Sequence, residues 1–148
     1  MHILLLLISM FFIASPLYAQ GNREIVIRLD AQLGGAYENG ILILEFEIMS
    51  GDGPGGAKPT PTGNFRIIMK EEKYHSKKYD APMPLSLFFT SEHAIHARGW
   101  HAKLPPRELR RYYSSHGCVS GDFDAIKLLF NWAPIGTPVT IIGDRTGD

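Results

Sequence analysis

The sequence predicts a mostly β domain with one clear helix near its C-terminus. Fifteen Gly and ten Pro among 148 residues are too many for a helical bundle and supply the turns that short strands require. Several segments alternate apolar and polar residues with a period of two. One segment after residue 120 repeats apolar residues at three- and four-residue intervals, which is the spacing of a helix face.

Glu24 to Leu29 puts Ile25, Ile27 and Leu29 on one face, as a half-buried strand does. Glu38-Asn39-Gly40 reads as a turn, because Asn-Gly accepts the positive φ of a tight hairpin. Ile41 to Ile48 is the return strand. Gly51 to Gly63 is a surface loop dense in Gly and Pro, and Asn64 to Met69 resumes a strand. Lys70 to Asp80 is polar and charged and receives no element. Met83 to Thr90 and Ala94 to Ala97 are further apolar runs. Leu104 to Tyr113 reads as a short helical segment opened by Pro105 and Pro106. Asp122 is a plausible N-cap for the main helix, on which Phe123, Ile126, Leu129 and Phe130 recur, with Pro134 and Gly136 ending it. Thr137 to Ile142 is the last strand.

Residues 1–20 carry no Asp, Glu, Lys or Arg, and Ile3 to Ala14 is almost wholly apolar. Ser15-Pro16 breaks the run, and Ala19 offers a small residue for cleavage. Residues 1–19 therefore read as a secretory signal peptide, leaving 20–148 as one mature domain outside the cytoplasm, with no membrane segment after removal. The apolar run is shorter than the roughly 20 residues of a membrane span. No cysteine follows it, so no lipoprotein anchor is expected.

Lys plus Arg and Asp plus Glu are equal at 15 each, so the formal charge is zero. That excludes bulk nucleic-acid binding, which needs a net positive field. The single cysteine excludes an intrachain disulfide framework and any paired-cysteine metal or redox site. An unpaired thiol in an oxidising compartment is a hazard, and its presence points to a use.

That thiol is Cys118, in Ser114-Ser115-His116-Gly117-Cys118-Val119-Ser120. Gly117 lets the backbone approach a substrate, and the amides of Gly117 and Cys118 are candidate oxyanion donors. The helix that follows is expected to lend the thiol its partial positive charge and favour the thiolate nucleophile. A base must be a histidine, and His75, His93, His96, His101 and His116 are available. His96 ends the apolar run Ala94-Ile95-His96, so a rigid strand would carry it.

These residues resemble the catalytic domain of the L,D-transpeptidases, the YkuD-like family. His96-Ala97-Arg98, the spacer Gly99–Ser114 and Ser115-His116-Gly117-Cys118 follow its signature. Lys58-Pro59-Thr60-Pro61-Thr62-Gly63-Asn64-Phe65, preceded by Ser50-Gly51, resembles an upstream family segment. Met83-Pro84 and Gly136-Thr137-Pro138-Val139 resemble two more, so the similarity runs from about Glu24 to Ile142. Ala97 stands where the family usually has Gly, and Ser120 where it has Arg or Asn. Arg98, Lys103, Arg107, Arg110 and Arg111 are nearby sources of the positive charge absent at 120.

The resemblance implies a β-sandwich-like catalytic fold, no cofactor and no metal. It implies Cys118 as nucleophile, His96 as general base and acid, and Gly117, His116 and Ser115 around the reacting group, with Arg98 and Ser120 toward substrate. It further implies an exported peptidoglycan L,D-transpeptidase of the periplasm or cell wall. Its partners would be stem peptides and, for protein attachment, a wall-anchored lipoprotein.

Other readings stand beside it. Transfer to water would make an L,D-carboxypeptidase. Ala97 and Ser120 fit a non-catalytic wall-binding homologue. His93, His96 and His101 with Cys118 could bind a metal, although the spacing matches no common zinc pattern. A papain-like hydrolase is disfavoured because His96 precedes Cys118 in the chain.

Overall fold

Nine strands and one helix account for the regular structure in this computed structural model, which describes residues 21–51, 58–99 and 115–144. The strands are β1 (Arg23–Arg28), β2 (Leu33–Glu38), β3 (Ile41–Met49), β4 (Gly63–Arg66), β5 (Met69–Ser76), β6 (Ala81–Phe88), β7 (Ala94–Ala97), β8 (Val119–Gly121) and β9 (Pro138–Ile142). Helix α1 spans Phe123–Trp132. The signal segment 1–19 and the helical reading of Leu104 to Tyr113 lie outside the described residues.

The strands form one curled sheet in the order β4-β9-β1-β2-β3-β8-β7-β6-β5. Strand β3 joins its two halves. Its first part pairs with β2, while Ile48 and Met49 pair with Gly121 and Ser120 of β8. Pairing is antiparallel except for β1 with β9 and β7 with β8. The concave side encloses Ile25, Ile27, Ile48, Ile67, Leu87, Ile95, Val119 and Ile141, onto which α1 presses Ile126 and Leu129. These aliphatic side chains are fully buried, each contributing roughly 1.5–3 kcal/mol of transfer free energy.

The Asn39-Gly40 turn forms as the sequence implies, with φ of 53° and 78° at its two residues. Strand β2 is a finding beyond the sequence reading. Its Gly34 and Gly35 weaken the strand signal, yet a Cβ at Gly34 would lie 2.4 Å from the Phe46 ring. Glycine there lets that ring cross the strand. Strand β5 was likewise not expected from a charged segment. It is an edge strand paired with β6 alone, where charge is tolerated and discourages further pairing.

The strand expected over Asn64 to Met69 is instead two. At Ile67 and Ile68 the chain leaves one half of the sheet for the other. Ile67 N–H donates to Thr137 O at 2.9 Å, and Ile68 N–H to Phe88 O at 2.8 Å. Leu85 has φ 57° within β6, yet the β5–β6 register is the same on both sides of it, with Glu71 opposite Ser86 and Lys73 opposite Pro84.

Helix α1 starts where Asp122 accepts the Asp124 N–H at 3.0 Å. Its last turn holds no basic residue. Cations from elsewhere close it instead. Lys70 Nζ donates to Phe130 O at 2.5 Å and Ala133 O at 2.9 Å, and lies 4.4 Å from the Phe130 ring centroid. Arg23 donates to Trp132 O at 2.7 Å. The Lys70→Ala variant should therefore lose about 2 kcal/mol, by removing charge-assisted bonds to otherwise unfilled helix carbonyls. Urea unfolding at unchanged m-value is the check; an unchanged midpoint would refute it.

Candidate active site

Two short parallel strands build the site. The register pairs Ile95 with Val119, His96 with Ser120 and Ala97 with Gly121. Ile95, Ala97 and Val119 face the main core. Side chains alternate along a strand, so Ala94, His96, Cys118 and Ser120 share the opposite face. Ala94 and Cys118 pack there against Met83, Phe88 and Tyr74. Cys118 immediately precedes β8, and continuing the alternation by one residue puts it on the His96 face, two positions out of register.

The Cys118 loop is held by backbone packing that no larger residue would permit. Gly117 has φ +102°, and a Cβ on it would meet the His93 ring at 2.7 Å and Pro59 O at 3.3 Å. Gly51 is tighter still. Its Cβ would lie 2.2 Å from Lys58 O and 2.9 Å from both Gly117 N and Ser115 O. Gly51 N–H donates to Thr60 Oγ1 at 2.9 Å. Ser50-Gly51 and the Lys58–Thr60 segment therefore form the bed of the nucleophile loop. Ser115 Oγ donates to Cys118 O, closing that loop from within. His116 is exposed and stacks on Tyr79, with ring centroids 4.2 Å apart.

Burial pushes the Cys118 thiol above its usual value, with the backbone of Ala94 opposing the rise. Its Sγ donates weakly to Glu92 O at 3.9 Å. The expected help from the helix does not reach it. Strand β8 intervenes, α1 opens at Phe123, and the Asp122 carboxylate already caps that terminus. Burial also holds the His96 imidazole below its usual value, assisted by the Arg98 charge and opposed by the bond to Ala97. His96 Nδ1 lies 2.9 Å from Ala97 O. A carbonyl only accepts, so Nδ1 carries the proton and Nε2 bears the free lone pair. Ala97 provides this carbonyl as well as a glycine would.

A cleft of about 210 Å³ opens over Cys118, walled by His93, His116, Tyr79, Lys58 and Lys78 and floored by Tyr74, Met83 and Phe88. Lys78 pairs with Glu92 at 3.8 Å. His96 is partly buried and does not belong to this wall. Arg98 and Ser120 also lie off it. Arg98 donates to Ser120 O at 3.4 Å, and Ser120, only 3% exposed, donates to Met49 O at 3.5 Å. The Ser120 hydroxyl thus meets the β3–β8 junction. Tyr74, Lys78 and Tyr79 were not found from sequence, because they come from the β5–β6 hairpin, whose approach depends on the curl of the sheet. His101, Lys103, Arg107, Arg110 and Arg111 lie outside the described residues. Among the described residues, no three His, Cys, Asp or Glu side chains converge as a metal site.

A thiol and two imidazoles, Cys118, His93 and His116, thus border one cleft on a curled, mostly β scaffold. Residues 22–141 match the L,D-transpeptidase catalytic domain, YkuD, and the chain belongs to that family. Solved structures agree on the fold. The L,D-transpeptidase of Stackebrandtia nassauensis superposes with TM-score 0.73 at 24% identity, over 88% of this chain and 60% of that one. A cysteine-to-serine mutant of the Enterococcus faecium L,D-transpeptidase gives TM-score 0.69 at 27% identity, over 82% of this chain and 50% of that one. The Xylanimonas cellulosilytica L,D-transpeptidase gives 0.67 at 28%, over 84% of this chain and 62% of that one. The chain thus spans about half to three-fifths of these proteins. No curated protein matches the sequence.

Proposed function

We propose that this chain is an exported peptidoglycan L,D-transpeptidase that acts through Cys118 and His96. The reading is supported by the pairing of β7, which carries His96, with β8, which Cys118 immediately precedes, and by the His96 Nδ1 contact to Ala97 O, which leaves Nε2 as acceptor. Family membership supports the substrate class, a stem tetrapeptide of the wall. Cys118 Sγ attacks the carbonyl carbon of the third residue, and its proton passes to His96 Nε2. The amide C–N bond breaks, D-Ala leaves as the amine after taking that proton, and a thioester remains. The amides of Gly117 and Cys118 hold the oxyanion, with Ser115 and His116 keeping their loop in place. A side-chain amine of a second stem then attacks the thioester, forming a new amide and a 3→3 cross-link and restoring the thiol.

Resolution by water would give an L,D-carboxypeptidase, and by a lysine amine of a wall-anchored lipoprotein would give protein attachment. The place of action is the periplasm or wall, reached through the leader at residues 1–19. Incubation of the mature protein with defined tetrapeptide muropeptides, followed by mass measurement, tests the proposal. Loss of D-Ala with appearance of cross-linked dimers is expected. Tripeptide without dimers would make water the acceptor, and unchanged tetrapeptide would refute the acyl-transfer reading in favour of a wall-binding homologue.

A further inference from the structure

His93 is the cleft residue whose chemistry the mechanism above leaves unused. The turn that carries it is closed by its own backbone. Phe89 N–H and Thr90 N–H both donate to His93 O, at 3.0 and 3.3 Å. Thr90 Oγ1 then accepts two amide protons, from Glu92 N at 3.1 Å and His93 N at 2.9 Å. The same oxygen lies 2.9 Å from His93 Nδ1.

A hydroxyl has two lone pairs and one proton. Both lone pairs of Thr90 Oγ1 are taken by the amides, so its proton goes to His93 Nδ1. Nδ1 is therefore an acceptor, and the neutral ring carries its proton on Nε2. This is the opposite tautomer to that of His96, whose Nδ1 faces a carbonyl. One imidazole presents a lone pair at Nε2, the other an N–H.

The Nε2 edge of His93 lies against Gly117, at 2.7 Å from where a Cβ on that residue would stand. Gly117 immediately precedes the nucleophile, and Glu92, which immediately precedes His93, offers its carbonyl to Cys118 Sγ at 3.9 Å. Both His93 and Cys118 border the same cleft. We propose that His93 Nε2–H is a fixed neutral hydrogen-bond donor to the carbonyl oxygen of the acyl group attacked by Cys118, polarising it and holding the oxyanion beside the backbone amides. The inference rests on the acyl-transfer reading above. Burial depresses the ring's proton affinity, with Lys58 and Lys78 adding to this and Glu92 opposing it. The ring so held remains neutral near pH 7 and polarises the carbonyl without giving up a proton.

The test compares His93→Gln, His93→Phe and His93→Ala. Gln can return an N–H near the Nε2 position, whereas Phe fills the space against Gly117 with no donor. The measured quantity is the second-order rate of Cys118 acylation by imipenem, followed by mass. Loss of a preorganised oxyanion donor lowers such rates by roughly 100-fold or more, and that loss is expected in the Phe and Ala variants. The Gln variant should stay within about tenfold of wild type. Imidazole nitrogen shifts of the unmodified protein give an independent reading, with the proton expected on Nε2 of His93 and on Nδ1 of His96. A Phe variant as fast as wild type, a Gln variant as slow as Ala, or an Nδ1 proton on His93 overturns the proposal alone. A wild-type protein that takes up no imipenem overturns the acyl-transfer reading and this inference with it.

Discussion

The Cys118→Ser variant is expected to form no covalent adduct with a carbapenem or a stem tetrapeptide, while keeping the wild-type circular dichroism and unfolding midpoint. The expected loss is complete within detection, because a serine hydroxyl beside a neutral imidazole is a far weaker nucleophile than a thiol. The fold should survive, since the sulfur packs only at the margin of the small cluster of Met83, Phe88 and Ala94. Mass spectrometry after incubation is the check. Turnover retained in Cys118→Ala would end the nucleophile assignment. So would an adduct that maps to another residue.

The next largest effect is expected at His96. His96→Ala should lower acylation by about 10²–10⁴-fold, the usual contribution of a positioned general base. His101→Ala should lose far less; equal losses would point to a shared or metal-type role. The pH profile separates the mechanisms further. Burial keeps the His96 imidazole below its ordinary value and the Cys118 thiol above its own, so both groups are neutral between them. Wild-type acylation should therefore rise through an inflection below about pH 6.5, as His96 loses its proton and becomes a base. In His96→Ala that inflection should vanish, leaving a rate that climbs with hydroxide until the thiol ionises in the alkaline range. A thiolate–imidazolium pair would instead lower the thiol value and raise that of the imidazolium, so that its loss in His96→Ala would move the rising limb to the alkaline range and remove any falling limb set by the imidazolium.

Much of this arrangement was legible locally. The apolar alternation from Ile25 to Leu29, the Asn39-Gly40 turn and the periodic face of α1 each declare themselves within a few residues, because each depends on local backbone preference or on one buried face. Gly117 before Cys118 was equally readable as a place of close backbone approach. Strand β2 was not, since its two glycines make sense only with the Phe46 ring across them. Nor was β5, whose charges suit an edge that only the sheet order creates. Strand β8, three residues long, has no periodicity to detect. Its omission led to the expectation that the thiol sat at a helix terminus.

The sequence alone determined the fold class, the residues able to do chemistry, and the order in which a strand histidine and a loop cysteine occur. These follow from composition, short-range spacing and side-chain type. Only the tertiary structure decided the electrostatic state of the thiol, the closing of α1 by Lys70 and Arg23, the retreat of Ser120 into the sheet, and the company of His93, Tyr79 and Lys78 around Cys118. Those outcomes depend on desolvation and on which distant strands are brought together when the sheet curls. Neither is encoded in the spacing of neighbouring residues.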